Sequence, residues 1–174
     1  KQTVAILREA VYGIRERNRI RGHKRAVTGI SISPDGKIFA SASDDGTVKL
    51  WNISGKKLKT LTGHSSAVKS VGFSPDGKII ITGSEDKTVK LWNTEGKLLK
   101  TLVGHTNKVT SVSFSLDGAT IATGSYDGTV KLWNIQGELL KNITGHNAPI
   151  YTLSFSPDGT KIAFAGGNTN VIIW

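Results

Sequence analysis

The 174-residue chain holds no cysteine, no methionine, 20 glycines, four histidines, and 23 Lys and Arg against 13 Asp and Glu. The absence of cysteine excludes disulfide scaffolds, thiolate metal sites and cysteine nucleophiles, and an apolar content of 37% with abundant glycine fits a folded chain rather than a disordered one. No apolar run approaches the roughly 20 residues that span a bilayer and nothing reads as a secretion signal, so a cytoplasmic chain with no membrane partner is expected. A start at Lys1 with no methionine anywhere reads as a segment of a longer chain.

The net charge of +10 raises nucleic acid as a partner, but its distribution weakens that reading. Lys1, Arg8, Arg15, Arg17, Arg19, Arg21, Lys24 and Arg25 crowd the first 25 residues against Glu9 and Glu16, so more than half of the net charge is an N-terminal feature. Within that stretch, Val4, Leu7, Ala10 and Val11 follow helical spacing and Gly13 is a natural stop. Residues 1–12 are therefore expected to form a short N-terminal helix or linker. The alternative is a basic arm that touches nucleic acid or an acidic surface.

From residue 13 onward the chain repeats itself with a period of 41. Tryptophans stand at 51, 92, 133 and 174, Gly-His pairs at 22–23, 63–64, 104–105 and 145–146, and Asp-Gly pairs at 35–36, 76–77, 117–118 and 158–159. Each unit alternates branched or aromatic residues with small polar ones in short runs bounded by turn formers. Ser74-Pro75-Asp76-Gly77 reads as a tight hairpin, with turns also at Glu85-Asp86-Lys87 and Thr94-Glu95-Gly96. Four strands are expected per unit, in the second at about 67–74, 78–84, 88–93 and 98–103.

Gly-His, Ser-Pro-Asp-Gly and Gly-Ser-x-Asp-x-Thr-Val-Lys-Leu-Trp-Asn, recurring at fixed offsets, resemble the WD-repeat family over residues 13–174. The Trp-Asp dipeptide of that family reads Trp-Asn here, at Trp51, Trp92 and Trp133. The resemblance implies an all-β WD-repeat β-propeller of four four-stranded blades. It also implies a hydrogen-bonded network inside each blade, made by His23, Ser43, Asp45 and Trp51, by His64, Ser84, Asp86 and Trp92, and by His105, Ser125, Asp127 and Trp133. Thr82 shares a face with Ser84, so the pattern leaves open which hydroxyl meets the histidine. In the fourth copy Gly166 and Asn168 replace the serine and aspartate, leaving His146 and Trp174 without those partners.

His64, Ser84 and Asp86 also invite a catalytic reading as base, nucleophile and orienting carboxylate. Their near-identical return in neighbouring copies argues for a structural role instead, and no enzyme activity is expected. Histidines 41 residues apart do not make a metal site, no phosphate-binding glycine loop is present, and no cofactor is expected. Lys49, Lys90 and Lys131 read as solvated cover on the third strands.

Positions that differ between copies are those the blade does not dictate. One set is Asp44, Glu85, Tyr126 and Gly167, just before the turn aspartate; another is Thr28, Lys69, Thr110 and Tyr151, early in the first strand. In WD-repeat proteins such positions contact partners, so Asp44, Glu85, Tyr126, Lys69 and Tyr151 are the candidate binding residues for a protein or peptide. Residues 15–21 align with the outermost strand of the next copy and are expected to complete the last blade as a closing strand. Four blades are about half of a typical ring of this type, which predicts a homodimer closed by strand exchange into one eight-bladed propeller. The lead-in Ala10-Val11-Tyr12-Gly13 resembles that of WD-repeat arrays in large bacterial signalling ATPases, implying a sensor or scaffold module within a signalling protein.

Overall fold

A computed structural model describes residues 19–174. The helix expected over 1–12 and residues 15–18 of the expected closing strand lie outside the described residues, and residues 19–21 carry no strand. Among the described residues there is no helix, and hence none long and apolar enough to cross a membrane.

The chain folds into four antiparallel sheets in sequence order. The first contains β1 (Val27–Ile32), β2 (Ile38–Ser43), β3 (Val48–Asn52) and β4 (Lys57–Leu61). The second contains β5 (Val68–Phe73), β6 (Ile79–Ser84), β7 (Val89–Asn93) and β8 (Leu98–Leu102). The third contains β9 (Val109–Phe114), β10 (Thr120–Ser125), β11 (Val130–Asn134) and β12 (Leu139–Ile143). The fourth holds three strands, β13 (Ile150–Phe155), β14 (Ile162–Gly166) and β15 (Val171–Ile173), so its outer position is not filled by any described residue.

Each strand pair closes through the turn its residues dictate. In the first hairpin of blade two, the Ser74 hydroxyl donates to Asp76 Oδ1 at 2.6 Å and accepts from Ile79 N–H at 2.9 Å, while Gly77 takes φ of +71°, a conformation that disfavours a side chain. The first strands β1, β5, β9 and β13 pack against one another in succession, placing them innermost and β4, β8 and β12 outermost. Successive sheets stack face to face as blades of a propeller. Ala40, Ala42, Val48, Leu50 and Leu61 of blade one meet Val68, Val71, Phe73, Ile80 and Trp92 of blade two, and equivalent clusters fill the next two junctions.

The third strands lie between two neighbours and are buried on both faces. Lys49 and Lys131 are accordingly buried, each 8% exposed, which corrects their reading as solvated cover. Their stems pack in the sheet while the amines reach outward, as in Lys131 Nζ to Asn142 Oδ1 at 2.8 Å and Lys90 Nζ to Thr101 Oγ1 at 3.0 Å.

Candidate functional site

Two sets of polar residues crowd the same end of the blades, and their geometry separates a structural set from an available one. The structural set begins at the buried histidines. His64 Nδ1 donates to Asp86 Oδ2 at 2.7 Å, its Nε2 lies 2.7 Å from Thr82 Oγ1, and Trp92 Nε1 donates to the same hydroxyl at 2.9 Å. His105, Asp127, Thr123 and Trp133 repeat this at 2.8, 2.8 and 2.9 Å, as do His23, Asp45, Ser41 and Trp51 at 2.9, 2.7 and 2.8 Å. The bridging hydroxyl is thus Ser41, Thr82 or Thr123. Each bridging hydroxyl accepts from the indole and also meets the histidine Nε2, so the histidine, hydroxyl and tryptophan are tied together at one atom.

Ser43, Ser84 and Ser125 sit two residues on and do different work. Each accepts from the N–H of the turn aspartate, at 3.1, 3.1 and 3.0 Å, and donates to a carbonyl before the first strand. None of them meets a histidine; the hydroxyls that do, on Ser41, Thr82 and Thr123, are buried and also accept from an indole. Burial holds His64 and His105 below the ordinary histidine pKa although an aspartate adjoins each. Burial would raise Asp86 and Asp127, but hydrogen bonds from Thr88 and His64, and from Thr129, the Thr106 N–H and His105, prevail and keep both lowered.

In the fourth blade the bridging hydroxyl is replaced by Phe164 and the aspartate by Asn168, whose Nδ2 donates to the His146 carbonyl at 2.9 Å. His146 is 3% exposed, stands edge-on to Phe164 with ring centroids 5.8 Å apart, and has no hydrogen-bond partner on either ring nitrogen.

The available set is built by one backbone device repeated in each blade. Thr28, Lys69, Thr110 and Tyr151 each fall at a β-bulge where the first strand slips register against the second. A bulge re-aims the extra side chain. Opposite them, the N–H groups of Asp44, Glu85, Tyr126 and Gly167 bond the carbonyls of Ala26, Ala67, Lys108 and Pro149, at 2.8 to 3.0 Å. Both sets therefore occupy equivalent places on successive blades. The threonines are used internally, Thr28 to the Val68 carbonyl at 2.5 Å and Thr110 to the Ile150 carbonyl at 2.6 Å.

What remains is a ladder across the blades. Asp44 Oδ1 lies 2.9 Å from Lys69 Nζ, Glu85 Oε1 lies 3.9 Å from Lys69 Nζ and 3.7 Å from Lys108 Nζ, and Lys108 stands 4.3 Å over the Tyr126 ring. Tyr126 meets Tyr151 at 5.5 Å with planes tilted 43°. Lys69, Glu85, Lys108, Tyr126 and Tyr151, with the two threonines, line a hollow of about 340 Å³. Thus all five candidate residues meet in one row. Lys108 was not among them; comparison of the copies marks it, because Ala26, Ala67 and Pro149 stand at its position. Among the described residues no cluster of three or more His, Cys, Asp or Glu is arranged to hold a metal ion.

Comparison with known proteins agrees with this architecture. The profile of the family described as "WD domain, G-beta repeat" matches residues 15–52, 55–93, 96–134 and 137–174. The chain is 47% identical over 55 residues to the Notchless protein homolog of Arabidopsis thaliana, covering 29% of this chain and 12% of that protein. It is 42% identical over 53 residues to an uncharacterized WD repeat-containing protein of Synechocystis sp., covering 30% and 4%, and 41% identical over 46 residues to the small ribosomal subunit protein RACK1 of Medicago sativa, covering 26% and 14%. The chain thus spans a small fraction of these relatives' length. Four matched repeats, laid down as four successive sheets with the His, hydroxyl and Trp contacts in three of them, place the chain in the WD-repeat family.

Proposed function

We propose that this chain is a non-catalytic protein-interaction module that seats a protein or peptide across the ladder from Asp44 to Tyr151. The repeats are those of an interaction scaffold. The observation that carries the finer reading is that every rung stands at a position the blade leaves free, whereas the histidines, hydroxyls, aspartates and indoles are committed to one another. Tyr151, 50% exposed beside the half-buried Tyr126, supplies rigid apolar area with a hydroxyl at its edge, the composition of an interface anchor. The alternating charges of Asp44, Lys69, Glu85 and Lys108 fix register more than affinity.

Two further parts of this reading rest on the sequence. The module belongs to a larger bacterial signalling protein, with the propeller as its sensor, and two copies associate into one eight-bladed ring.

Selection of a displayed random peptide library on the wild-type chain tests the site. Selected peptides should bind the Tyr126→Ala/Tyr151→Ala variant at least about tenfold more weakly, the loss of two aromatic anchors. Equal binding to both chains would place the site elsewhere. Binding of a single-stranded oligonucleotide that falls steeply between 50 and 200 mM salt would favour the basic N-terminal segment and nucleic acid instead.

A further inference from the structure

The two ends of the arc leave apolar faces open, and the three internal junctions show how such faces are covered. Moving the blade-one side of the first junction forward by three repeats lands on Ala163, Ala165, Val171 and Ile173. Moving its blade-two side back by one repeat lands on Val27, Ile30, Ile32, Phe39 and Trp51. Val171 and Ile173 are 69% and 68% exposed, and Val27, Ile30 and Ile32 are 51%, 65% and 60% exposed, whereas Val48, Leu50 and Val68 at the filled junction are at most 1% exposed. Both faces are open at once, so blade four does not cover blade one of its own chain.

The open faces match each other in detail. Ala40, Ala42 and Val48 return unchanged as Ala163, Ala165 and Val171, and Leu50 becomes Ile173. Opposite, Phe73 and Ile80 become Ile32 and Phe39, an exchange that preserves the volume of the pair. Polar detail continues the series as well. Ser70 Oγ accepts from Val112 N–H and Ser111 Oγ from Leu153 N–H, each at 3.2 Å; stepping the Ser70 contact on by two repeats aims Thr152 at the N–H of Ile30. A Cβ at Gly77 or Gly118 would lie 3.4 Å from the ring of Pro34 or Pro75, while at Gly36 it would meet nothing within 4 Å, and Pro157 is the residue next in that series.

We propose that these faces are two halves of one junction shared between copies of this chain: blade four of each copy packs on blade one of the other. This rests on the ring reading above and supplies its contacts. Because each copy offers both halves, the two junctions are related by a twofold axis along the ring and the assembly closes without a free apolar face.

Sedimentation equilibrium on the wild-type chain, on Ile30→Asp, on Val171→Asp and on their equimolar mixture tests it. Both positions are exposed in the single chain, and Ile32→Lys with Ile173→Lys provides a second pair if either aspartate variant loses its thermal transition. The wild type should sediment as two chains and each variant as one. The mixture should recover a two-chain species, since one variant keeps an intact blade four and the other an intact blade one. A two-chain wild type with variants that still pair, or a mixture that stays at one chain mass, would overturn the assignment of these faces. A one-chain wild type would overturn the ring itself, whatever the variants do.

Discussion

A buried histidine stabilises a blade only while both of its ring nitrogens are engaged. His64 and His105 meet that condition through Asp86 with Thr82 and Asp127 with Thr123, whereas His146 is equally buried with neither nitrogen bonded. The same substitution should therefore have opposite signs. His64→Leu removes two hydrogen bonds, to the carboxylate of Asp86 and the buried hydroxyl of Thr82, and should lower the unfolding free energy by about 1–3 kcal/mol, while His146→Leu removes two unsatisfied atoms and should raise it by about 1 kcal/mol, both read from urea midpoints. The shifts add a pH dependence. His64 and His105 are depressed when folded, so below pH about 6.5 the unfolded chain takes up protons that the folded chain refuses, and stability falls. Asp86 and Asp127, also depressed, extend the loss at lower pH as they are protonated. Urea midpoints should drop between pH 6.5 and 5.5, and the drop should be shallower in His64→Gln/His105→Gln.

At the scale of the strand, the period-2 pattern was enough to place elements: the second blade's strands were expected at 67–74, 78–84, 88–93 and 98–103 and lie at 68–73, 79–84, 89–93 and 98–102. It was not enough to choose between Thr82 and Ser84, because residues two apart share a face and differ only in depth. The bulges at Lys69 and Tyr151 were also invisible, since one unpaired residue leaves the apolar alternation on either side intact. The ladder's five rungs Asp44, Lys69, Glu85, Tyr126 and Tyr151 were legible as variation among copies, whereas Lys108 stands just before the strand, where the other copies carry Ala26, Ala67 and Pro149. Successive blades approach closely where glycine stands on the second strand. A Cβ at Gly83 would come within 2.7 Å of Val109 Cγ1 and 2.9 Å of Val112 Cγ1, so Gly83→Ala should cost about 1–3 kcal/mol of overpacking in a thermal melt. At the same position Ala42 and Ala165 are native, at the first junction and at the open face that matches it.

For the molecule as a whole, the repeat divides the labour. The His, hydroxyl, Asp and Trp contacts recur in the first three blades, while the bulge and turn positions vary among the copies and carry Asp44, Lys69, Glu85, Tyr126 and Tyr151. The fourth blade shows the same separation from the other side: it has exchanged its buried network for Phe164 and Ile172 in an apolar junction, yet still presents Tyr151 at the rim. Separation of fold from the proposed recognition ladder is tested by measuring thermal stability and peptide affinity on the same two double variants. Thr82→Val/Thr123→Val should lower the melting temperature while leaving affinity for a selected peptide within about twofold, and Tyr126→Ala/Tyr151→Ala should do the reverse. If the threonine pair abolished binding in a chain that stays folded, or the tyrosine pair melted the chain while leaving binding intact, the account would be contradicted.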